Sequence, residues 1–258
     1  DCLEVMKDLS DASIDCFICD LPYGQLDAKR GGKRVGPLKD PMNPNSNIVV
    51  ENKPCNWDVK LDLSAFWAQV KRLARNDHTP VLMFCNTKFG FELIQSNPDW
   101  FRYDLVWDKQ RGVSFLLANK MPMKSHEMIY VFSKASAFYR RVDISGNFTS
   151  WKSHNQEAST RIVKTASGRN VAEANDGTHR CPLSVIPVRK PNTIGHPTEK
   201  PQELYEWLLS RYVPENGTVL DPTAGSFNAC FVADRLGYTA IGIEKDEAYF
   251  DKAVERLN

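Results

Sequence analysis

Thr218-Val219-Leu220-Asp221-Pro222-Thr223-Ala224-Gly225-Ser226 is the stretch on which the fold turns. Four residues of strand character end in a carboxylate and run into a tight turn of small residues. Residues 227–236 then read as a helix, stopped by Gly237. Thr239-Ala240-Ile241-Gly242-Ile243 reads as a second strand, tipped by Glu244. Strand, helix and strand of these lengths make a βαβ unit. A small-residue turn lets backbone approach a ligand, and an acid at the second strand's tip can accept two ribose hydroxyls. A plain crossover with no ligand shares the pattern. The dinucleotide fingerprint G-x-G-x-x-G and the P-loop are both absent.

Upstream the same alternation continues. Leu63, Phe66, Trp67, Val70, Leu73 and Ala74 fall on one helical face, with Pro80 as the stop. Val81-Leu82-Met83-Phe84-Cys85 reads as a buried strand, 89–95 as a short helix, 103–107 and 127–132 as strands, and 120–124 as a turn. Such alternation implies a parallel α/β sheet. Residues 1–9 read as a short helix. Residues 24–58, rich in Gly, Pro, Asn and Lys, read as one long loop beside the site. Pro201 opens a helix whose buried face carries Leu204, Trp207 and Leu208.

The first strand, Ile14-Asp15-Cys16-Phe17-Ile18-Cys19, stops at Asp20-Leu21-Pro22-Tyr23-Gly24. A strand ending in acceptors and a ring can hold a planar group. The Asp20 carboxylate and the Leu21 carbonyl can accept both hydrogens of an amino group while Tyr23 stacks on the ring bearing it. A strand end with a proline turn is the plainer alternative.

With 42% apolar residues in 258, the chain can bury one large core. Its seven cysteines lie singly, and alternation puts Cys16 and Cys19 on opposite faces of their strand. The expectation is a reduced, cytoplasmic protein with no metal site. No apolar run approaches membrane-spanning length, and no signal-like segment is seen, so neither membrane nor secretion is expected. The chain begins at Asp rather than Met, so preceding residues are expected to be missing. The formal net charge of +1 hides an uneven distribution. Residues 134–200 hold 11 Lys/Arg against 5 Asp/Glu, whereas 201–258 hold 5 against 10. The basic segment interleaves Tyr139, Arg140, Arg141, Phe148, Trp151, Lys152, Arg161, Lys164 and Arg169. That fits a polyanion-facing insertion or, equally, a solvated basic face.

Taken together, Asp20-Leu21-Pro22-Tyr23, the segment 134–195, His196-Pro197-Thr198-Glu199-Lys200-Pro201 and Asp221–Ser226 resemble the S-adenosylmethionine-dependent amino-methyltransferases of DNA. In order they are similar to the permuted β class of phages and restriction systems, with its D-P-P-Y, recognition, H-P-T-x-K-P and D-x-x-x-G-S elements. Cys55-Asn56-Trp57-Asp58, Trp107-Asp108-Lys109 and His126-Glu127 also look like phage-type members.

The resemblance implies a Rossmann-like methyltransferase sheet with helices on both faces. Residues 1–133 would form its catalytic half, 196–258 its cofactor half, and 134–195 an inserted target-recognition region. It implies catalytic roles for Asp20, Leu21, Pro22 and Tyr23, with Asp20 also near the cofactor. It implies cofactor contacts from Asp1 and Cys2 at the adenine edge. His196, Thr198 and Lys200 would close over the methionine end. Asp221, Pro222, Thr223, Ala224, Gly225, Ser226, Phe227, Asn228, Glu244 and Lys245 complete that set. Asp20 and Asp221 should end neighbouring strands.

Tyr23, Arg140 and Arg141 are expected on the DNA side. The implied reaction is transfer of a methyl group to adenine N6 of DNA, with cytosine N4 as the alternative. A homodimer and an accompanying restriction endonuclease are further family traits. Leu21 replaces the first proline of the motif, where a backbone carbonyl is the expected contact. Phe227 stands where many members have glycine, so the cofactor turn is expected to differ in shape. Rival readings are methylation of protein glutamine or structured RNA, and a DNA-binding relative without catalysis. Relatives of the first kind usually carry Asn at the position of Asp20. The Pro54-Cys55 pair of cytosine-C5 enzymes stands alone here and in the wrong order.

Overall fold

A computed structural model describes residues 1–24, 38–40, 43–48, 58–113, 115, 118–145, 179–190 and 199–256. Seven strands form one sheet: β1 (Cys16–Cys19), β4 (Val81–Cys85), β5 (Phe101–Val113), β6 (Lys124–Phe132), β9 (Val185–Pro187), β10 (Thr218–Asp221) and β11 (Thr239–Gly242). Their order is β11-β10-β1-β4-β6-β5-β9. The strands β11, β10, β1 and β4 pair in parallel, as do β5 and β9. β6 runs antiparallel to both of its neighbours. The sheet is therefore mixed, not the all-parallel sheet expected from the alternation. The reason lies in the 114–123 connection, which is too short for the crossover a parallel pair needs and closes a hairpin instead.

Alternation along β1 divides the core. Cys16 and Ile18 join Leu82, Phe84, Leu105 and Trp107 on one face. Phe17 and Cys19 join Val81, Met83 and Cys85 on the other. The two cysteines thus point to opposite faces, as expected, and both are buried thiols. Helices α4 (Gln202–Tyr212) and α5 (Asn228–Arg235) cover the first face, and α1 (Cys2–Lys7), α2 (Leu63–Leu73) and α3 (Thr87–Ser96) the second. Asp62 caps α2 by accepting from the Ser64 and Ala65 N–H groups. Phe66, Trp67, Val70 and Leu73 are its buried face. The helix ends well before Pro80. Along α4 the buried stripe is Leu204, Tyr205, Leu208 and Leu209, whereas Trp207 is half-buried with the Arg211 guanidinium 4.4 Å from its ring. A final helix, α6 (Glu247–Glu255), follows β11 and is capped by Asp246.

The chain divides into two compact units, one of Asp1–Arg140 with Ser184–Asn258, the other Arg141–Leu183. Within the second, β7 (Ile144–Ser145) pairs antiparallel with β8 (His179–Arg180). Residues 184–190, read from sequence as part of the insertion, carry β9 and extend the sheet beside β5. The stretch 24–58 also holds more than loop: β2 (Leu38–Asp40) and β3 (Asn43–Ile48) form an antiparallel pair. Backbone hydrogen bonds close such a pair and leave no side-chain signature to read.

Candidate active site

The carboxyl ends of β1 and β10 lie side by side, so Asp20 and Asp221 end adjacent parallel strands as expected. A cleft of about 450 Å³ opens there, within the roughly 300–1,000 Å³ typical of small-molecule sites. Asp20, Leu21, Pro22 and Tyr23 line it. The Asp20 carboxylate accepts from the Lys200 ammonium through Oδ2 and from the Tyr23 hydroxyl, 3.1 Å away, through Oδ1. The Tyr23 ring rests on Phe89 at 4.8 Å between centroids. Gly24, at φ +62°, donates its N–H to Asp58 at 2.9 Å. A Cβ there would lie 2.5 Å from Lys60 Cγ, so the turn after Tyr23 calls for glycine twice over.

Two strand residues complete this corner. Glu127 on β6 stands opposite Trp107 on β5. Its Oε2 pairs with Lys109 at 2.8 Å, and its Oε1 lies 3.2 Å from the Tyr23 hydroxyl and 3.5 Å from Lys200 Nζ. Burial alone would raise the Glu127 carboxyl, but Lys200 and Lys109 outweigh it and hold the group well below the usual range. Burial likewise opposes charge on Lys200, which is 4% exposed, yet Asp20 and Glu127 keep its ammonium protonated to higher pH. Asp20 and Glu127 are thus two fixed carboxylates sharing one buried cation. The sequence singled out Lys109 and Glu127 only within short family-like stretches and gave them no role. No local signal marked them, since Lys109 stands between Asp108 and Gln110 and Glu127 between His126 and Met128.

The other half of the cleft is the 221–226 turn. Gly225 sits at φ +51° and donates to Glu244 Oε2 at 2.7 Å, while Glu244 Oε1 accepts from the Asp246 N–H at 2.8 Å. Both oxygens keep a second lone pair for a ligand. Pro222, Thr223, Ala224, Gly225 and Ser226 line the cleft with Glu244, Lys245, Asp1, Cys2 and Lys200. Thr223 Oγ1 is buried with no hydrogen-bond partner among the described residues.

Three expected cofactor contacts lie off the cleft wall. Phe227 adopts the left-handed conformation, φ 59°, that glycine would take without cost, and its ring packs on Gly242 and Phe250. Asn228 is buried as a clasp: Nδ2 donates to Glu199 at 2.7 Å and to the Lys200 carbonyl at 2.9 Å, and Oδ1 accepts from Arg256 at 3.1 Å. It holds the backbone of Lys200 in place rather than facing the cavity. Asp221 is buried beneath the turn and accepts from the Thr223 N–H at 3.1 Å. His196 and Thr198 lie outside the described residues.

Arg140 and Arg141, expected on the DNA side, have partners within the chain. The Arg140 guanidinium donates to the Ser210 carbonyl at 2.9 Å and the Tyr238 hydroxyl at 3.1 Å, tying its segment to α4. Arg141 pairs with Asp143. Arg140 is thus engaged within the chain and does not line the cleft, and Arg141 is exposed with a local carboxylate partner. The cations that line the cleft are Lys60, Lys109, Lys124, Lys190, Lys200 and Lys245.

Asp221 gives the site a pH signature. Burial, then the nearby Asp20 and Glu244 carboxylates, raise it to about 7 against the Thr223 N–H, which works the other way. Its ordinary value is 3.8, so between these limits the folded state binds the extra proton. Stability conferred by the protonated form is therefore complete below about pH 4 and lost as pH rises through 7. Asp221→Asn is expected to flatten this decline, as read by urea unfolding from pH 4 to 8. An unchanged slope would mean that Asp221 does not titrate in this window.

The sheet and its flanking helices share the fold of solved DNA methyltransferases. The M1.HpyAVI–SAM complex aligns with TM-score 0.56 and 18% identity, covering 100% of this chain and 96% of that one. PvuII DNA methyltransferase (cytosine-N4-specific) aligns with TM-score 0.63 and 13% identity, covering 100% and 84%. The likeness is one of fold, that of a Rossmann-like methyltransferase sheet. Residues 14–255 match the family N6_N4_Mtase, DNA methylase, and the chain belongs to that family. It is similar to the type II methyltransferase M.HinfI of Haemophilus influenzae, 26% identical over 268 residues. That match spans 100% of this chain but only 66% of M.HinfI. M.HpaI of Haemophilus parainfluenzae is 25% identical over 264 residues, spanning 99% of this chain and 72% of that protein.

Proposed function

We propose that this chain transfers a methyl group from S-adenosylmethionine to the exocyclic amino group of a base in DNA, with adenine N6 as the acceptor. The observation that carries the reading is one cleft holding the Asp20–Tyr23 corner at one end and the Gly225–Glu244 turn at the other. The residues present fit the cofactor. A left-handed glycine allows close backbone approach, Thr223 offers an orphaned hydroxyl, and Glu244 offers free lone pairs. Glu244 would hold the ribose, Asp1 and Cys2 the adenine edge, and the Lys200 segment with His196 and Thr198 the methionine end. Asp221 and Asn228 would act from behind, by holding the turn and the Lys200 backbone.

The cofactor supplies a methyl group already activated on a sulfonium. The protein's task is to bring the acceptor nitrogen into line with it. An aromatic amino nitrogen is a weak nucleophile because its lone pair is delocalised into the ring. Hydrogen bonds to Asp20 and to the Leu21 carbonyl favour the state in which that nitrogen becomes tetrahedral and positive. Asp20, holding one amino hydrogen, is also the nearest base for the proton the product sheds. Stacking on Tyr23, backed by Phe89, is worth about 1–3 kcal/mol, comparable with the few kcal/mol needed to extrude a base.

Adenine is preferred over cytosine because the motif begins with Asp, and cytosine N4 is the second reading because the same acceptors suit either amino group. The order of elements, catalytic stretch first and cofactor turn last, supports the permuted β class and a phage or restriction-system type. The segment 141–183 with its flanks is the proposed target-recognition region. Sequencing methylated DNA from an expressing host gives the site, and mass spectrometry of its nucleosides gives the base. N4-methylcytosine without N6-methyladenine would move the reading to its alternative, and no methylation would end it. A restriction endonuclease partner would appear as cleavage blocked by this methylation, and a homodimer by light scattering.

The DNA-facing charge is assigned to the cleft rather than to Arg140 and Arg141. Lys124 and Lys190 line it, and no carboxylate lies within ion-pair distance of either among the described residues. Burial, then Lys109 and Lys200, lower the Lys190 ammonium, so like charges crowd there. Replacing Lys124 and Lys190 by Ala is expected to weaken DNA binding and reduce the salt slope by about 1–2. An unchanged slope would remove both from the phosphate path.

A further inference from the structure

We propose that Glu127 is a positioning residue that takes over Lys200 and the Tyr23 hydroxyl from Asp20 when the substrate amino group arrives. The inference rests on the amino-methylation reading. Both Asp20 oxygens are engaged, Oδ2 by Lys200 and Oδ1 by Tyr23. An incoming amino group therefore competes for Asp20 with a buried ammonium and a hydroxyl. Each competitor has the same second acceptor within reach. Glu127 Oε1 is 3.5 Å from Lys200 Nζ and 3.2 Å from the Tyr23 hydroxyl.

The two oxygens of Glu127 divide the work. Oε2 is anchored by Lys109 at 2.8 Å, which leaves Oε1 to receive. The anchor is rigid because Glu127 sits within β6, paired across the hairpin with Trp107. Lys200 is tethered at its backbone by Asn228, so only the ammonium has to move. Asp20 is then freed for the amino hydrogens without leaving a buried cation uncompensated, which would otherwise oppose binding.

Glu127→Gln keeps the shape and removes the charge that receives Lys200. The test compares duplexes carrying the methylated site, with either adenine or purine at the target position. Purine lacks the 6-amino group and does not require Asp20 to be vacated; a cytosine target would be compared with 2-pyrimidinone. Binding is measured without methyl donor for wild type and variant. The cost of opening each base pair belongs to the DNA and cancels between the two proteins. Glu127→Gln is expected to weaken adenine binding about tenfold relative to purine binding, the equivalent of roughly 1.4 kcal/mol.

Cofactor affinity should stay unchanged. Loss of general structure would weaken both duplexes alike. Should Glu127→Gln lower the melting temperature, the double variant Glu127→Gln/Lys109→Met restores the charge balance and serves the same comparison. Equal ratios in wild type and a folded variant would overturn the exchange role while leaving methylation standing. A wild-type protein that methylates no DNA would overturn both.

Discussion

Replacing Asp20 with asparagine is expected to lower turnover by about 10²–10³-fold, the usual cost of losing one preorganised electrostatic contact to a reacting centre. Asparagine keeps one acceptor oxygen but loses the charge opposite a nitrogen that turns positive. Its NH2 can also face the amino group it should accept from. Cofactor affinity is expected to stay within about tenfold, or roughly 1.4 kcal/mol, because the Gly225–Glu244 turn is untouched. Lys200 keeps Glu127 as a counter-ion at 3.5 Å, so the variant should fold. Single-turnover methylation and calorimetry separate the two quantities. Activity retained within a few-fold would sink the assignment of Asp20 to the acceptor.

Glu244→Gln acts at the other end of the cleft, and its signature is the reverse. Both carboxylate oxygens already accept backbone N–H groups, from Gly225 and Asp246. A glutamine can satisfy one and must point an NH2 at the other, so the turn and the ribose site are disturbed together. Hydrogen bonds to charged groups are worth about 1.5–3 kcal/mol, which places the rise in cofactor Kd at roughly 10–100-fold. Turnover at saturating cofactor should change far less. An unchanged dissociation constant, read by calorimetry, would leave Glu244 as a cap that only holds the turn.

The sequence by itself determined what local pattern controls. Small residues between Asp221 and Ser226, a helix stopped by Gly237 and a strand tipped by an acid specify a βαβ unit, because each signal lies within a few residues of the next. The strand ending at Asp20 was legible for the same reason, and the parallel pairing of β1 with β10 sets the two acids side by side. Phe227 was visible as a departure from glycine, and it adopts the glycine conformation nonetheless, held by packing on Gly242.

Tertiary structure decided what depends on partners far along the chain. A charge in an alternating strand reads as a solvent-facing residue, and nothing local says that Glu127 meets Tyr23 from 104 positions away. Nor does it say that Lys200 crosses 180 positions to reach Asp20. Arg140 and Asn228 read as ligand-facing until their partners far along the chain are known. The direction of β6 was hidden as well, since periodicity reports which face a strand buries and not which way it runs. Burial and pairing are properties of neighbours in space, and the chain acquires those neighbours only on folding.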